Sequence, residues 1–204
     1  LGYNYSNDEI KQAFDQLEVS IPKKLNDVDL INFTAQCLVN KNIVAWFNGR
    51  YEFGPRALGS RSFLADPRND NIRDEINDKI KKRELFRPFA PSVIKEECHN
   101  FFDIKQESPY MNIVANVHED KKKIIPAITH IDGTARVHSV SFESNPMYYN
   151  LLKKFGEETG IPVLLNTSFN IQEPIVRSPT DAIQTFLNSG VDLLVIGNYI
   201  CDIK

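Results

Sequence analysis

Apolar and polar residues alternate along the chain in two rhythms, one helical and one strand-like. Ser6-Asn7-Asp8-Glu9 has the form of a capping box, and Ile10, Phe14 and Leu17 follow at helical spacing. A second amphipathic stretch runs from about Asp27 to Asn40, with Leu30, Ile31, Ala35 and Leu38 on its apolar face. Ile43 to Phe47 is almost wholly apolar, as expected of a strand covered on both faces. The passage from Asn48 to Arg68 is irregular and rich in Gly and Arg, and Ile72, Ile76 and Ile80 then mark one more helix. Further on, Met111 to Val117, Ala127 to Ile131 and Ala135 to Val140 read as strands. Asp132-Gly133 reads as a hairpin turn between the last two, because glycine accepts positive φ. Asn145-Pro146 to Gly160 and Ser178-Pro179 to Gly190 each combine an N-cap, a first-turn proline and a closing glycine. Pro162 to Phe169 and Leu193 to Gly197 read as strands. The alternation predicts a mixed α/β class, and no repeat or linker divides it.

Composition narrows the classes. The chain has 204 residues, 42% hydrophobic and 25% charged, an ordinary globular balance. No apolar run reaches the roughly 18 to 20 residues of a membrane helix, and no signal-peptide pattern opens the chain. Three cysteines, Cys37, Cys98 and Cys201, lack metal-ligand spacing, and their odd number argues against a secreted disulfide scaffold. A reducing cytoplasm is the expected compartment. The chain begins with Leu1 rather than Met, so we expect a piece of a longer or processed product.

The formal net charge of −3 is the wrong sign for a generic cationic nucleic-acid binder. It is unevenly spread, however. Arg50 to Arg87 holds ten basic and seven acidic residues, a local +3 that leaves −6 for the rest. A solvated helix face would account for the charge alone; the placement of the arginines is more specific. Arg56 lies between glycines in Gly54-Pro55-Arg56-Ala57-Leu58-Gly59, and Arg87 lies between Phe86 and Pro88-Phe89, where apolar neighbours are expected to fix its head group. Arginine's planar fork suits bidentate phosphate binding. Leu164-Leu165-Asn166-Thr167-Ser168-Phe169-Asn170 is an apolar strand ending in small hydrogen-bonding residues. It reads either as a strand-to-turn cap or as a pocket at a strand's carboxyl end, where amide and hydroxyl groups would hold a phosphate oxygen or a carbonyl. His130-Ile131-Asp132 lacks the partners of a metal site, no Ser-His-Asp set is defensible, and no Walker A or Gly-x-Gly-x-x-Gly loop is present.

These segments together resemble a known family. Gly49 to Ser62 followed by Leu64-Ala65-Asp66-Pro67-Arg68 is similar to the signature of NodU/CmcH-type carbamoyltransferases. Lys81 with Arg83-Glu84, Phe86-Arg87-Pro88-Phe89-Ala90-Pro91, His130 to Val137, Asn145-Pro146, Thr159 to Asn170 and Glu173-Pro174-Ile175-Val176 continue the likeness in order. Tyr51, Ser60, His138 and Arg177 depart from its usual Met, Asn, Gln and Cys, and Asn170-Ile171-Gln172-Glu173 lacks a customary glycine.

The resemblance implies a YrdC-like twisted open mixed sheet flanked by helices, over 1–204 as a single C-terminal domain with a helical extension over about 1–41. It implies formation of carbamoyl-adenylate from ATP and carbamoyl phosphate with release of pyrophosphate. The carbamoyl group would then pass to a hydroxyl of a sugar, antibiotic or similar acceptor on an N-terminal ASKHA-type transferase domain, which this chain does not match. Its substrate and catalytic residues fall on Arg56, Lys81, Arg87, Arg136, Asn166 and Ser168. Mg²⁺ is expected with the nucleotide and no metal on this chain's own side chains. The resemblance allows a homodimer, and membrane or nucleic-acid partners are not expected. The alternatives are an RNA-binding or a threonylcarbamoyl-adenylate-forming module of the same fold.

Overall fold

The computed structural model describes residues 2–202. Ser6 Oγ accepts from the Glu9 amide while the Glu9 carboxylate accepts from Ser6 N, closing the capping box that opens helix α1, Asn7–Gln16. A short strand β1, Lys23–Lys24, precedes α2, Asp27–Val39, capped by Asn26. Then come β2, Val44–Phe47; β3, Arg61–Ala65; α3, Ile72–Glu75; and β4, Ala90–Ile94. Helix α4, Cys98–Phe101, β5, Ile113–Asn116, α5, Glu119–Lys122, and β6, Thr134–Val140, follow. The chain ends with α6, Pro146–Thr159; β7, Val163–Ser168; α7, Pro179–Ser189; β8, Leu193–Ile196; and β9, Tyr199–Asp202.

The strands form one sheet in the order β1-β9-β8-β2-β3-β7-β4-β6-β5. β2/β8 and β4/β6 run parallel and the other pairs antiparallel, so the sheet is mixed and open at both edges. Alternation along the strands sends side chains to two cores. On β2, Ala45 and Phe47 join one and Val44 and Trp46 the other; on β8, Leu194 and Ile196 oppose Leu193 and Val195. Helices α1 and α7 cover the first face through Ile10, Phe14, Ile183 and Phe186. Helices α2 and α6 cover the second through Leu30, Leu38, Leu151 and Phe155. No described helix is long and apolar enough to cross a membrane.

Three features depart from the sequence-based expectations. β3 emerges from the irregular Asn48–Arg68 passage, where Arg61 and Ser62 hide its strand character although all five residues are buried. Ala127 to Ile131 is not a strand: Pro126–Ile128 is a 3₁₀ turn, and the antiparallel partner of β6 is β5. Pro126 lacks the N–H a ladder requires. The Asp132-Gly133 turn does form, closed by Gly133 N donating to the His130 carbonyl at 2.9 Å, but a strand enters it on one side only. Finally, α3 widens after Glu75 into a π-turn over Ile76–Ile80, which keeps Ile72, Ile76 and Ile80 all buried.

Candidate active site

The carboxyl end of β7 opens into a cavity of about 650 Å³. β3 and β4 flank β7, with Leu64 and Ala90 both opposite Asn166 in their registers, so Asn166 lies at the centre of this wall. Arg136 on β6 extends the wall to the far side of β4. The facing walls are loops: Pro55-Arg56-Ala57 on one side and the Lys81–Phe89 passage on another. All six expected site residues, Arg56, Lys81, Arg87, Arg136, Asn166 and Ser168, line this one cavity.

Six basic side chains line it against one acid. Lys82 and Arg83 join the four cations expected there, and Glu84 is the acid. The charges feel each other: burial and then neighbouring Arg56 hold Arg136 below its usual range, and burial and then Arg87 do the same for Arg83. A site that concentrates unpaired cations in a partly enclosed space is a site for anions.

Lys81 is the most constrained of these. It ends the π-turn, its amide donating to the Ile76 carbonyl at 2.8 Å, and it is buried. Its ammonium lies 2.6 Å from the Ser168 carbonyl, 3.2 Å from Ser168 Oγ, 2.7 Å from the Asn170 carbonyl and 2.7 Å from Asn170 Oδ1. It therefore ties the β7 exit to the π-turn. Burial, with repulsion from Arg83 and Arg87 against attraction from Glu173, pulls its pKa down to about 7.

Arg56 and Arg87, by contrast, have exposed side chains on pinned backbone. The Arg56 loop is held by Glu52, whose Oε1 accepts from the Leu58 and Ser60 amides, by Trp46 Nε1 donating to the Gly59 carbonyl at 2.9 Å, and by Asn166 Nδ2 donating to the Ala57 carbonyl at 3.0 Å. Gly59 sits at φ +93°, and a Cβ there would fall 2.0 Å from the Tyr148 ring, so only glycine fits. The second loop is held by Asn77, fully buried, whose amide donates to the Leu85 and Arg87 carbonyls and accepts from Arg83 Nε at 2.7 Å. No motif had pointed to Asn77; its signal was only a polar residue following a buried isoleucine. The expectation that apolar neighbours fix Arg87 is corrected: Phe86 is exposed, and the guanidinium over the Phe89 ring, at 4.9 Å, belongs to Arg83.

Arg61, central to the quoted signature, does not reach the cavity. It is fully buried, stacks 3.4 Å over the Phe47 ring, and donates to the Asn48, Gly49 and Ser60 carbonyls. Arg68 is likewise paired, with Asp66 at 2.6 Å. The turn lacking a glycine is closed by Glu173, which accepts from the Ile171 and Gln172 amides and from Thr185 Oγ1. Lys82 and Met111, both at the cavity, hold left-handed φ of 48° and 54° without being glycine.

Residues 35–202 match the family model for the carbamoyltransferase C-terminus. The chain belongs to that family. It is 48% identical over 176 residues to nodulation protein NolNO of Sinorhizobium fredii, covering 84% of this chain and 26% of that protein. It is 38% identical over 162 residues to the 3′-hydroxymethylcephem-O-carbamoyltransferase of Amycolatopsis lactamdurans, covering 79% of this chain and 31% of that enzyme. The chain thus spans about a quarter to a third of these relatives. Among solved structures, P. abyssi Sua5 complexed with L-threonine superposes with a TM-score of 0.62 at 14% identity, over 88% of this chain and 49% of that one. Full-length HypF in its phosphate- and nucleotide-bound form gives 0.58 at 20% identity, over 85% and 25%. The mixed sheet is therefore the fold of the YrdC-like domains.

Proposed function

We propose that this chain is the carbamoyl-adenylating part of an O-carbamoyltransferase. The observation that carries the reading is the convergence of Arg56, Lys81, Arg83, Arg87 and Arg136 on one cavity at the end of β7. Carbamoyl phosphate and ATP are both strongly anionic, and holding them together requires several fixed cations. Water first cleaves carbamoyl phosphate to carbamate and inorganic phosphate. A carbamate oxygen then attacks the α-phosphorus of ATP, the bond to the β-phosphate oxygen breaks, and carbamoyl-adenylate and pyrophosphate form. The pinned arginines hold the phosphates in line and stabilise the charge that gathers on them.

Mg²⁺ fits this donor set in one way. Among the described residues no three His, Cys, Asp or Glu side chains converge, and the cavity offers mainly cations and amides. The ion would be carried by triphosphate oxygens and water, where it neutralises phosphate charge.

Residues 1–204 are read as one domain, because α1 and α2 bury Ile10, Phe14, Leu30 and Leu38 in the two cores rather than standing apart. The acceptor hydroxyl and the transfer step are assigned to an N-terminal domain in the longer relatives' arrangement. Three thiols without disulfides fit a cytoplasmic setting.

Incubation with ATP, Mg²⁺ and carbamoyl phosphate should release pyrophosphate and inorganic phosphate in equal amounts. The release should depend on Arg56 and Arg87. Release unchanged in Arg56→Ala and Arg87→Ala would refute the site; binding of RNA with a steep salt slope and no pyrophosphate would favour the nucleic-acid module instead.

A further inference from the structure

Asn166 was expected to hold a phosphate oxygen or a carbonyl, yet its hydrogen bonds leave it no proton for that task. Its two amide protons are both committed, one to the Ala57 carbonyl at 3.0 Å and one to Ser92 Oγ at 2.9 Å. A backbone carbonyl only accepts, so the amide's orientation is forced. Ser92 Oγ must then accept from Asn166, and passing its single proton to His138 Nδ1, 2.8 Å away, would complete a continuous row. In such a row His138 Nδ1 accepts and the ring proton sits on Nε2.

Ser92 and His138 face each other across the parallel β4/β6 pair and both are buried. The imidazole lies against the Tyr148 ring, centroids 6.3 Å apart, and burial alone keeps it neutral, with a pKa near 3. At the other end of the row, Asn166 Oδ1 is buried with no partner although Asn166 lines the cavity. A buried acceptor without a donor is costly, and a phosphate oxygen cannot relieve it because it too only accepts. An N–H or O–H of a ligand would relieve it.

We propose that Ser92 and His138 are positioning residues that present Asn166 Oδ1 as an acceptor, and that this oxygen selects the amino group of a carbamoyl compound over an acyl compound of the same shape. The inference rests on the carbamoyl reading of the cavity. Acetyl phosphate tests it, since a methyl group replaces the amino group and the phosphate is unchanged.

In calorimetric titrations of this chain, carbamoyl phosphate should bind about tenfold more tightly than acetyl phosphate, the size of one lost hydrogen bond. Ser92→Ala and His138→Leu should erase that preference through weaker carbamoyl phosphate binding, with acetyl phosphate affinity little changed. His138→Gln should retain it, because a Gln side-chain oxygen can take the Ser92 proton. Equal affinities in the unmodified chain, or a preference untouched in Ser92→Ala and His138→Leu, would overturn the selection. Failure of both phosphates to bind would instead overturn the carbamoyl reading, and the selection with it. Nitrogen NMR of the unmodified chain decides the hydrogen-bond row by itself: an Nε2-protonated His138 supports it, and an Nδ1-protonated one refutes it whether or not any variant folds.

Discussion

The cavity has two kinds of wall, and they hold their side chains by different means. On the strand side, Asn166 of β7 stands between two ladders, and Ser168 of β7 and Arg136 of β6 each stand on backbone secured by one. On the loop side, Arg56 and Arg87 stand on backbone with no ladder. There the carbonyls and amides are secured by side chains from beneath, half-buried Glu52 and buried Trp46 for one loop and buried Asn77 for the other. The difference separates binding from stability. Removing an exposed arginine removes charge from the site; removing a buried pin releases the backbone that aims it.

Arg56→Ala should give the largest effect and the clearest separation. Pyrophosphate release should fall roughly 10² to 10³-fold, as for loss of one well-placed transition-state donor. The denaturation midpoint should stay unchanged, since the side chain is exposed. Equal losses of activity and stability would break the distinction between the walls. Gly59→Ala comes next and should act through stability, by about 2 to 4 kcal/mol in urea unfolding, because the new Cβ meets the Tyr148 ring at a positive φ. Asn77→Ala should cost about 1 to 3 kcal/mol by leaving the Leu85 and Arg87 carbonyls and Arg83 without their partner. It should also weaken carbamoyl phosphate binding, whereas a variant as tight as the unmodified chain would show that Arg87 needs no pin.

Lys81 sharpens the comparison through pH. With its pKa pulled down to about 7 from 10.5, the ammonium loses its proton as the pH rises through 7. Phosphate affinity should fall several-fold between about pH 6 and 8, and Lys81→Met should flatten that dependence. Stability should move the other way. Between about pH 7 and 10 the unfolded chain holds a proton on Lys81 that the folded chain lacks, so unfolding becomes harder as pH rises. The smallest effect belongs to Lys79→Ala. Lys79 lies in the same basic segment but pairs with Glu75 on an exposed helical surface, so its loss should leave both the denaturation midpoint and phosphate binding as they were.

Much of this architecture was legible beforehand. Caps at Ser6, Asn145 and Ser178, the apolar β2 run and the abrupt end of β7 all report local chemistry, and local chemistry is what a sequence displays. The strands β3 and β4 were not legible, because Arg61, Ser62, Pro91 and Ser92 interrupt the apolar pattern. Both Arg61 and Ser92 lie buried, Arg61 over the Phe47 ring and Ser92 between Asn166 and His138, partners that the local apolar pattern does not show. Arg87 shows the same limit: its sequence neighbours are aromatic, but the ring that stacks on a guanidinium receives Arg83.

By itself the sequence determined the mixed α/β order, since caps and periodicity are properties of neighbouring residues, and its motifs carried the family resemblance that implied the cavity side chains. Only the tertiary structure decided which cations are free and which are consumed. Arg61 and Arg68 are spent on carbonyls and a carboxylate, Lys81 is shared between the β7 exit and the cavity, and Arg56 and Arg87 are spent on nothing within the fold that their charge requires. The physical reason is that a charged or polar group's role depends on the partners around it. For Asn166 those partners, Ala57 and Ser92, lie 109 and 74 residues away along the chain, and they turn the donor that the motif suggested into an acceptor.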